Sequence, residues 1–205
     1  MYFKKYRRGN IRSMRIMNKK EIRKIIIQKR KSINPIVWKI NSQIICRKII
    51  NTINLYNKNI GIYFPINNEV ALVELFKVIQ CNLYLPKIKN NSMTFHEYSV
   101  ERKTNNFDIL NNPKKYNLIF ENKTFNPVMQ KNPLIPEVIF VPLVAFNAKC
   151  FRIGYGGGFY DKYLKNKSIL KIGIAFEAQK VDFPPEEHDI QLSYIFTEKR
   201  IYHKH

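Results

Sequence analysis

At 205 residues the chain is long enough to bury a substantial core as one domain, and its 45% apolar share excludes a disordered polymer. No run of about 18 uncharged apolar residues occurs, so no membrane-spanning helix is expected. The net charge of +21 is lopsided, with 13 Lys/Arg against the single acid Glu21 in residues 1–31. That excess admits a nucleic-acid or polyanionic partner without selecting one, since a Lys-, Asn- and Ile-rich composition also produces it.

Residues 1–17 are basic and lack the apolar core of a secretory signal. They read as a disordered extension ahead of a single domain over 18–205. Asn18 is placed to cap a helix running to about Lys31. Ile22, Ile25 and Ile26 are its expected buried face, while Lys19, Arg23 and Arg30 stand elsewhere and read as a solvated charge run. Asn34-Pro35 opens a second helix to about Ile53, with an apolar stripe of Ile36, Ile40, Ile44, Ile45 and Ile49. Trp38 is expected in packing.

Ile60 to Phe64 predicts a short strand ended by Pro65. Asn68 is expected to cap a third helix through about Ile79, built on Val70, Val73, Phe76 and Ile79. This puts Glu69 in the first turn, where an acid complements the helix dipole. Asn82 to Leu85 reads as a strand stopped by Pro86. Met93 to Tyr98 alternates as an exposed or edge strand, with His96 structural. Residues 99–137, with Pro113, Pro127, Pro133 and Pro136, read as an irregular connection. A strand follows over 138–145, where Pro142 marks an edge, bulge or strand end. Residues 169–176 and 192–197 predict the last strands, separated by a loop over 177–189. The three cysteines, Cys46, Cys81 and Cys150, have neither zinc nor redox spacing and read as reduced cytosolic thiols.

This alternation predicts an α/β fold, a three-layer α/β sandwich with a mostly parallel central sheet. Such sheets bind ligands beyond the carboxyl ends of their strands, where Glu69, the 177–189 loop and one glycine-rich loop all fall. Four of the seven glycines lie in Arg152-Ile153-Gly154-Tyr155-Gly156-Gly157-Gly158-Phe159-Tyr160-Asp161. No Lys-Ser/Thr follows, so this is not a Walker A loop, and Phe159 stands where a dinucleotide fingerprint needs its third glycine. The loop offers backbone N–H groups ahead of a helix N-terminus, the fit for a phosphate. Arg152 supplies a planar cationic fork. Tyr155, Phe159 and Tyr160 can wall a flat ring, and Asp161 can hold Mg²⁺ against phosphate oxygens. From the glycines alone, a tight structural turn is the alternative.

Val141-Pro142-Leu143-Val144-Ala145-Phe146 and the run from Arg152 to Leu164 resemble the signature of the 5-formyltetrahydrofolate cyclo-ligase family. The resemblance covers about residues 18–198. It includes Lys19-x-x-x-Arg23, Tyr63-Phe64-Pro65 with Glu69, Leu85-Pro86, Met93-x-Phe95-x-x-Tyr98, Gly173-Ile-Ala-Phe-Glu177-x-Gln179 and His188-Asp189. It implies a cytosolic, single-domain α/β enzyme, expected to be a monomer. The reaction implied converts 5-formyltetrahydrofolate to 5,10-methenyltetrahydrofolate, with ATP as co-substrate and Mg²⁺ as cofactor. By the resemblance, Lys19, Arg23, Arg152, Gly154, Gly156, Gly157, Gly158 and Tyr160 contact ATP. Phe64, Glu69, Met93, Tyr155 and Phe159 line the folate site, and Asp161 and Asp189 hold the metal. It also raises Glu69 from a helix-dipole acid to a ligand for the pterin edge. The chain departs from the family at Asn147, where Asp is usual, and at Cys150, where Gly is usual. A basic RNA-binding module is one competing reading, against which the aromatics cluster at the glycine loop rather than within the basic segment; a folate- or nucleotide-binding protein without turnover is the other, left open by the departures at Asn147 and Cys150.

Overall fold

The computed structural model describes residues 17–72, 75, 81–97 and 133–204. All but Met17 of the expected N-terminal extension, most of the expected third helix and most of the 99–137 connection lie outside them.

Helix α1 (Lys19–Lys31) starts at a capping box: Asn18 Oδ1 accepts from the Glu21 backbone N–H, and Glu21 Oε2 accepts from that of Asn18. Its buried residues are Ile22, Ile26 and Arg30, while Ile25 is half exposed. Ile25 is therefore not in the core, because the i, i+4, i+8 line that faces the domain turns it away. Helix α2 (Pro35–Thr52) starts at Asn34, with Pro at the first helical position. It buries Trp38, Ser42, Ile45, Cys46 and Ile49 and leaves Ile36 and Ile40 exposed. The expected isoleucine stripe is thus displaced: the buried line starts at Trp38, whose indole N–H reaches Glu69 O, and runs on through Ile45 and Ile49.

The strands are β1 (Asn59–Gly61), β2 (Asn82–Lys89), β3 (Ser92–Glu97), β4 (Val138–Pro142), β5 (Ala145–Phe146), β6 (Arg152–Ile153), β7 (Leu170–Ile174), β8 (Tyr194–Phe196) and β9 (Ile201–His203). Helix α3 (Phe159–Leu164) lies between β6 and β7. Seven strands form one sheet in the order β3-β2-β1-β4-β7-β8-β9, and β5 pairs with β6 separately. The five inner strands run parallel. Edges β3 and β9 are antiparallel. The expected mostly parallel sheet is therefore found, with β9 as an unforeseen edge strand.

β2 runs through Pro86 rather than stopping there. The Tyr84 carbonyl accepts from the Ile62 N–H, so even-numbered residues of β2 face β1. β1 has ended by Pro86, so its missing N–H costs no ladder bond. β4 ends at Pro142, a strand end as expected.

Two apolar layers sandwich the sheet. Val138 and Phe140 point to one side, with Trp38, Ile45 and Ile49 of α2. Ile139 and Val141 point to the other, with Phe95, Leu164 and the α3 aromatics Phe159, Tyr160 and Tyr163. This alternation along β4 gives the three layers their shape. Gly61 and Gly173 let the layers close on the sheet: a Cβ on Gly61 would meet Phe95 at 2.8 Å and Ile139 at 2.9 Å, and one on Gly173 would meet Leu192 at 2.6 Å. α1 packs beside the sheet on Val144, Ala145 and Ile153, which brings its polar side to the carboxyl edge.

Candidate active site

Glu69 does not begin a helix. Asn67 and Asn68 have φ of 50° and 56°, left-handed values that Asn tolerates and a helix N-cap does not use. They form a turn in which the Glu69 N–H donates to Ile66 O at 3.0 Å, and Glu69 Oε2 accepts from Ile66 N at 3.0 Å. Residues 70–72 are not helical, and most of the rest of the expected helix lies outside the described residues. The Trp38 indole N–H donates to Glu69 O at 2.9 Å, which fixes the turn to α2.

The turn aims Glu69 inward, where it is 3% exposed. Tyr155 of the glycine loop donates its hydroxyl to Glu69 Oε1 at 2.9 Å. Arg30 Nη2 donates to the Tyr155 hydroxyl oxygen, and Nη1 lies 3.8 Å from Glu69 Oε1. Burial pushes the Glu69 carboxyl up to about 7, against the pull of Arg30 and of its two hydrogen bonds. Burial, and then the Glu69 charge, push the Tyr155 hydroxyl up to about 12. The buried Tyr160 hydroxyl rises for the same two reasons in the same order.

Arg30, expected among the solvated cations, is only 1% exposed. Lys19 and Arg23 also turn inward. Lys19 Nζ sits 2.7 and 3.0 Å from the two Asp189 carboxylate oxygens, and 3.2 Å from Glu186. Arg23 Nε donates to Gly154 O at 2.7 Å, its guanidinium lying against Gly156. At 100° per residue, positions 19, 23 and 30 fall within an arc of about 40°. That spacing is the sequence signal for Arg30.

The glycine loop links β6 to α3. Gly156 has φ 110°, and Gly158, which caps α3, has φ 66°. The loop therefore needs a residue without Cβ at Gly156 above all. Arg152, 4% exposed, leaves β6 and pairs through Nη1 with Asp161 Oδ1 at 2.9 Å. The Ile190 N–H donates to the same oxygen at 3.4 Å, bringing the Asp189 segment beside it. The Arg152 Nε and the Tyr160 hydroxyl are buried with no partner among the described residues. Asp189, Glu186 and His188 hold one possible ligand atom each within 4.8 Å of one another. Asp161 stands outside that cluster, and Asp161 and Asp189 are paired with Arg152 and Lys19, but their carboxylate oxygens are the hard donors that fit Mg²⁺.

Phe64 and Met93 lie near the carboxyl ends of β1 and β2 but in different apolar layers. Phe64 packs on the α2 side. Met93, paired with Ile88, packs on the α3 side with Phe159. The structure thus joins Glu69, Tyr155, Arg30 and the α1 cations at one edge and separates Phe64 from Met93 across it.

The two departures before Arg152 have structural accounts. Cys150 adopts φ 62°, the left-handed value a glycine would take, so the turn keeps that shape with a buried thiol. Asn147 Oδ1 accepts from the Lys149 and Phe151 N–H groups, while its Nδ2 donates to Phe183 O at 3.1 Å. An ionised Asp could not make the last bond.

The fold and site define an α/β-sandwich protein whose charged and aromatic residues gather at the carboxyl edge of a parallel sheet. The family model described as the 5-formyltetrahydrofolate cyclo-ligase family matches residues 15–198, and the chain belongs to that family. It is 32% identical to a 5-formyltetrahydrofolate cyclo-ligase from Mycoplasma genitalium, over 88% of this chain and 98% of the relative. A 5,10-methenyltetrahydrofolate synthetase structure from Mycoplasma pneumoniae superposes with a TM-score of 0.67 at 28% identity, covering 89% of this chain and 99% of that one. An Aquifex aeolicus 5,10-methenyltetrahydrofolate synthetase gives a TM-score of 0.70 at 25% identity, covering 91% and 93%.

Proposed function

We propose that this chain converts 5-formyltetrahydrofolate to 5,10-methenyltetrahydrofolate in a soluble, cytosolic compartment, consuming ATP and releasing ADP and phosphate. One contact carries the reading: Tyr155, inside the glycine loop, donates to the buried Glu69 carboxylate at 2.9 Å. A loop suited to phosphate is thereby joined directly to a carboxylate suited to the hydrogen-bond donors of a pterin edge. The family match over residues 15–198 supports the activity.

In this reading Lys19, Arg23, Arg152, the glycine N–H groups and Tyr160 take the nucleotide. Glu69, Tyr155, Phe159, Met93 and Phe64 take the folate. The N5-formyl oxygen attacks the γ-phosphorus and ADP leaves. N10 then adds to the activated formyl carbon and loses its proton, and the C–O bond breaks to release phosphate carrying the former formyl oxygen. No protein nucleophile is required, so positioning and charge neutralisation supply the catalysis. Mg²⁺, held by Asp161 and Asp189, would neutralise phosphate charge when bound. Arg152 and Lys19, which pair with those two carboxylates, keep them oriented.

Incubating the protein with Mg·ATP and 5-formyltetrahydrofolate tests the reading by the absorbance of the methenyl product. Product with matched ADP release is expected. Folded protein that forms none would sink the reading.

A further inference from the structure

We propose that Arg30 is the positioning residue for the Glu69 carboxylate, acting through the Tyr155 hydroxyl. The inference rests on the reading of Glu69 as a folate ligand.

A fully buried arginine needs a reason, because desolvating its charge is costly without compensation. Arg30 directs its donors to three separate segments. Nε donates to Asn67 O at 2.8 Å and Nη2 lies 3.4 Å from Ile66 O, both in the turn that carries Glu69. Nη1 donates to Leu143 O at 3.0 Å, just after β4. Nη2 also donates to the Tyr155 hydroxyl, which in turn donates to Glu69 Oε1. At 3.8 Å the direct approach of Nη1 to Glu69 is too long for a hydrogen bond, so the short path runs through Tyr155.

The carboxylate is thereby held from two directions. Ile66 N fixes Oε2 and Tyr155 fixes Oε1, and Arg30 holds both the turn bearing Ile66 and the oxygen of Tyr155. Because Arg30 is the cation facing Glu69, it also favours the ionised form that accepts donors from a ligand. Among the described residues, the other titratable groups that face this carboxyl are Tyr155 from the glycine loop, Tyr160 from α3 and Tyr63 after β1. The planar fork suits the site, since Nε, Nη1 and Nη2 reach four separate acceptors and an ammonium has only three protons at one point.

The test compares Arg30→Met, Arg30→Lys and Glu69→Gln in the full chain, with 5-formyltetrahydrofolate and Mg·ATP as substrates. Steady-state kinetics give the folate KM, the ATP KM and the pH profile of kcat/KM for the folate. Arg30→Met should raise the folate KM by about 10–100-fold, leave the ATP KM within about twofold, and move the acid limb to higher pH. Arg30→Lys should return the acid limb towards wild type while leaving the folate KM raised. If Arg30→Met does not fold, Arg30→Lys decides: it keeps the charge, loses the fork, and should raise the folate KM with the ATP KM within about twofold. An arginine that merely ties α1 to the domain would leave the folate KM of folded Arg30→Lys at the wild-type value, and that outcome overturns the proposal. If Glu69→Gln itself leaves the folate KM unchanged, the ligand reading of Glu69 fails and takes the proposal with it. A raised KM in Glu69→Gln with unchanged folded Arg30 variants overturns only the positioning role.

Discussion

Arg152 and Asp161 meet at 2.9 Å across the glycine loop, and Arg152 is buried while Asp161 is partly open to solvent. The pair closes the loop on itself and leaves Asp161, the proposed Mg²⁺ ligand, partly open to solvent. Exchanging Asp161 for Asn keeps the size and one acceptor but removes the charge. We expect the turnover rate to fall by roughly 10²-fold or more. The Arg152 charge also loses its partner, so a cost of about 1–2 kcal/mol is expected, or a fall in Tm of about 2–8 °C. Thermal melting beside a turnover assay over a range of Mg²⁺ separates the two effects; an unchanged rate would remove Asp161 from the chemistry.

Gly156 and Gly158 have the same kind of backbone requirement at different strengths. A Cβ on Gly156 would come no nearer than 3.8 Å to the Arg23 guanidinium, and one on Gly158 would meet nothing within 4 Å. Space is therefore not the constraint. At φ 110° an L-residue lies outside the left-handed well, whereas φ 66° lies inside it. Gly156→Ala should cost more stability than Gly158→Ala, by about 1–2 kcal/mol. Denaturant midpoints of the two variants check the order.

Glu69 ties stability to pH. Its folded pKa of about 7 lies above the ordinary 4.5 of a free glutamate. Both states are protonated below about 4.5, so the folded state suffers no charge-burial penalty there. As pH rises towards 7 the unfolded chain ionises first and stability is lost, at up to about 1.4 kcal/mol per pH unit, levelling above the folded pKa. Between about pH 4.5 and 8 wild type should lose roughly 3 kcal/mol more than Glu69→Gln. Urea unfolding of both proteins across that range measures the difference, and parallel pH curves would contradict the buried carboxyl.

Asn147 is suited to its site as an amide. Its Nδ2 donates to Phe183 O, and its Oδ1 accepts two backbone N–H groups. Asn147→Asp would set a buried carboxylate oxygen against the Phe183 carbonyl. A loss of about 1–3 kcal/mol is expected, with little change in the folate or ATP KM of the protein that remains folded. Melting curves and steady-state kinetics on the same preparation test both halves.

Local sequence alone determined a good deal. The capping residues Asn18 and Asn34, the glycine loop entering α3, and the apolar runs that became β1, β4, β7 and β8 are all properties of neighbours in the chain. So were the α/β layering and the family resemblance, because both rest on ordered motifs. Tertiary structure decided the rest. Arg30 resembles any other solvated cation in the chain because its partners are remote: Leu143 lies 113 positions away and Tyr155 lies 125. Glu69 resembles a helix-dipole acid because an Asn can cap a helix or adopt a left-handed turn, and only the Trp38 and Ile66 bonds select the turn. Helix periodicity could not choose between the isoleucine stripe and the Trp38 line on α2, since both are apolar and only the sheet decides which is covered. The helical spacing of Arg30 with Lys19 and Arg23 marks a shared face but not its burial, and partners more than a hundred positions away leave no local trace, which is why the centre of the site emerges only in three dimensions.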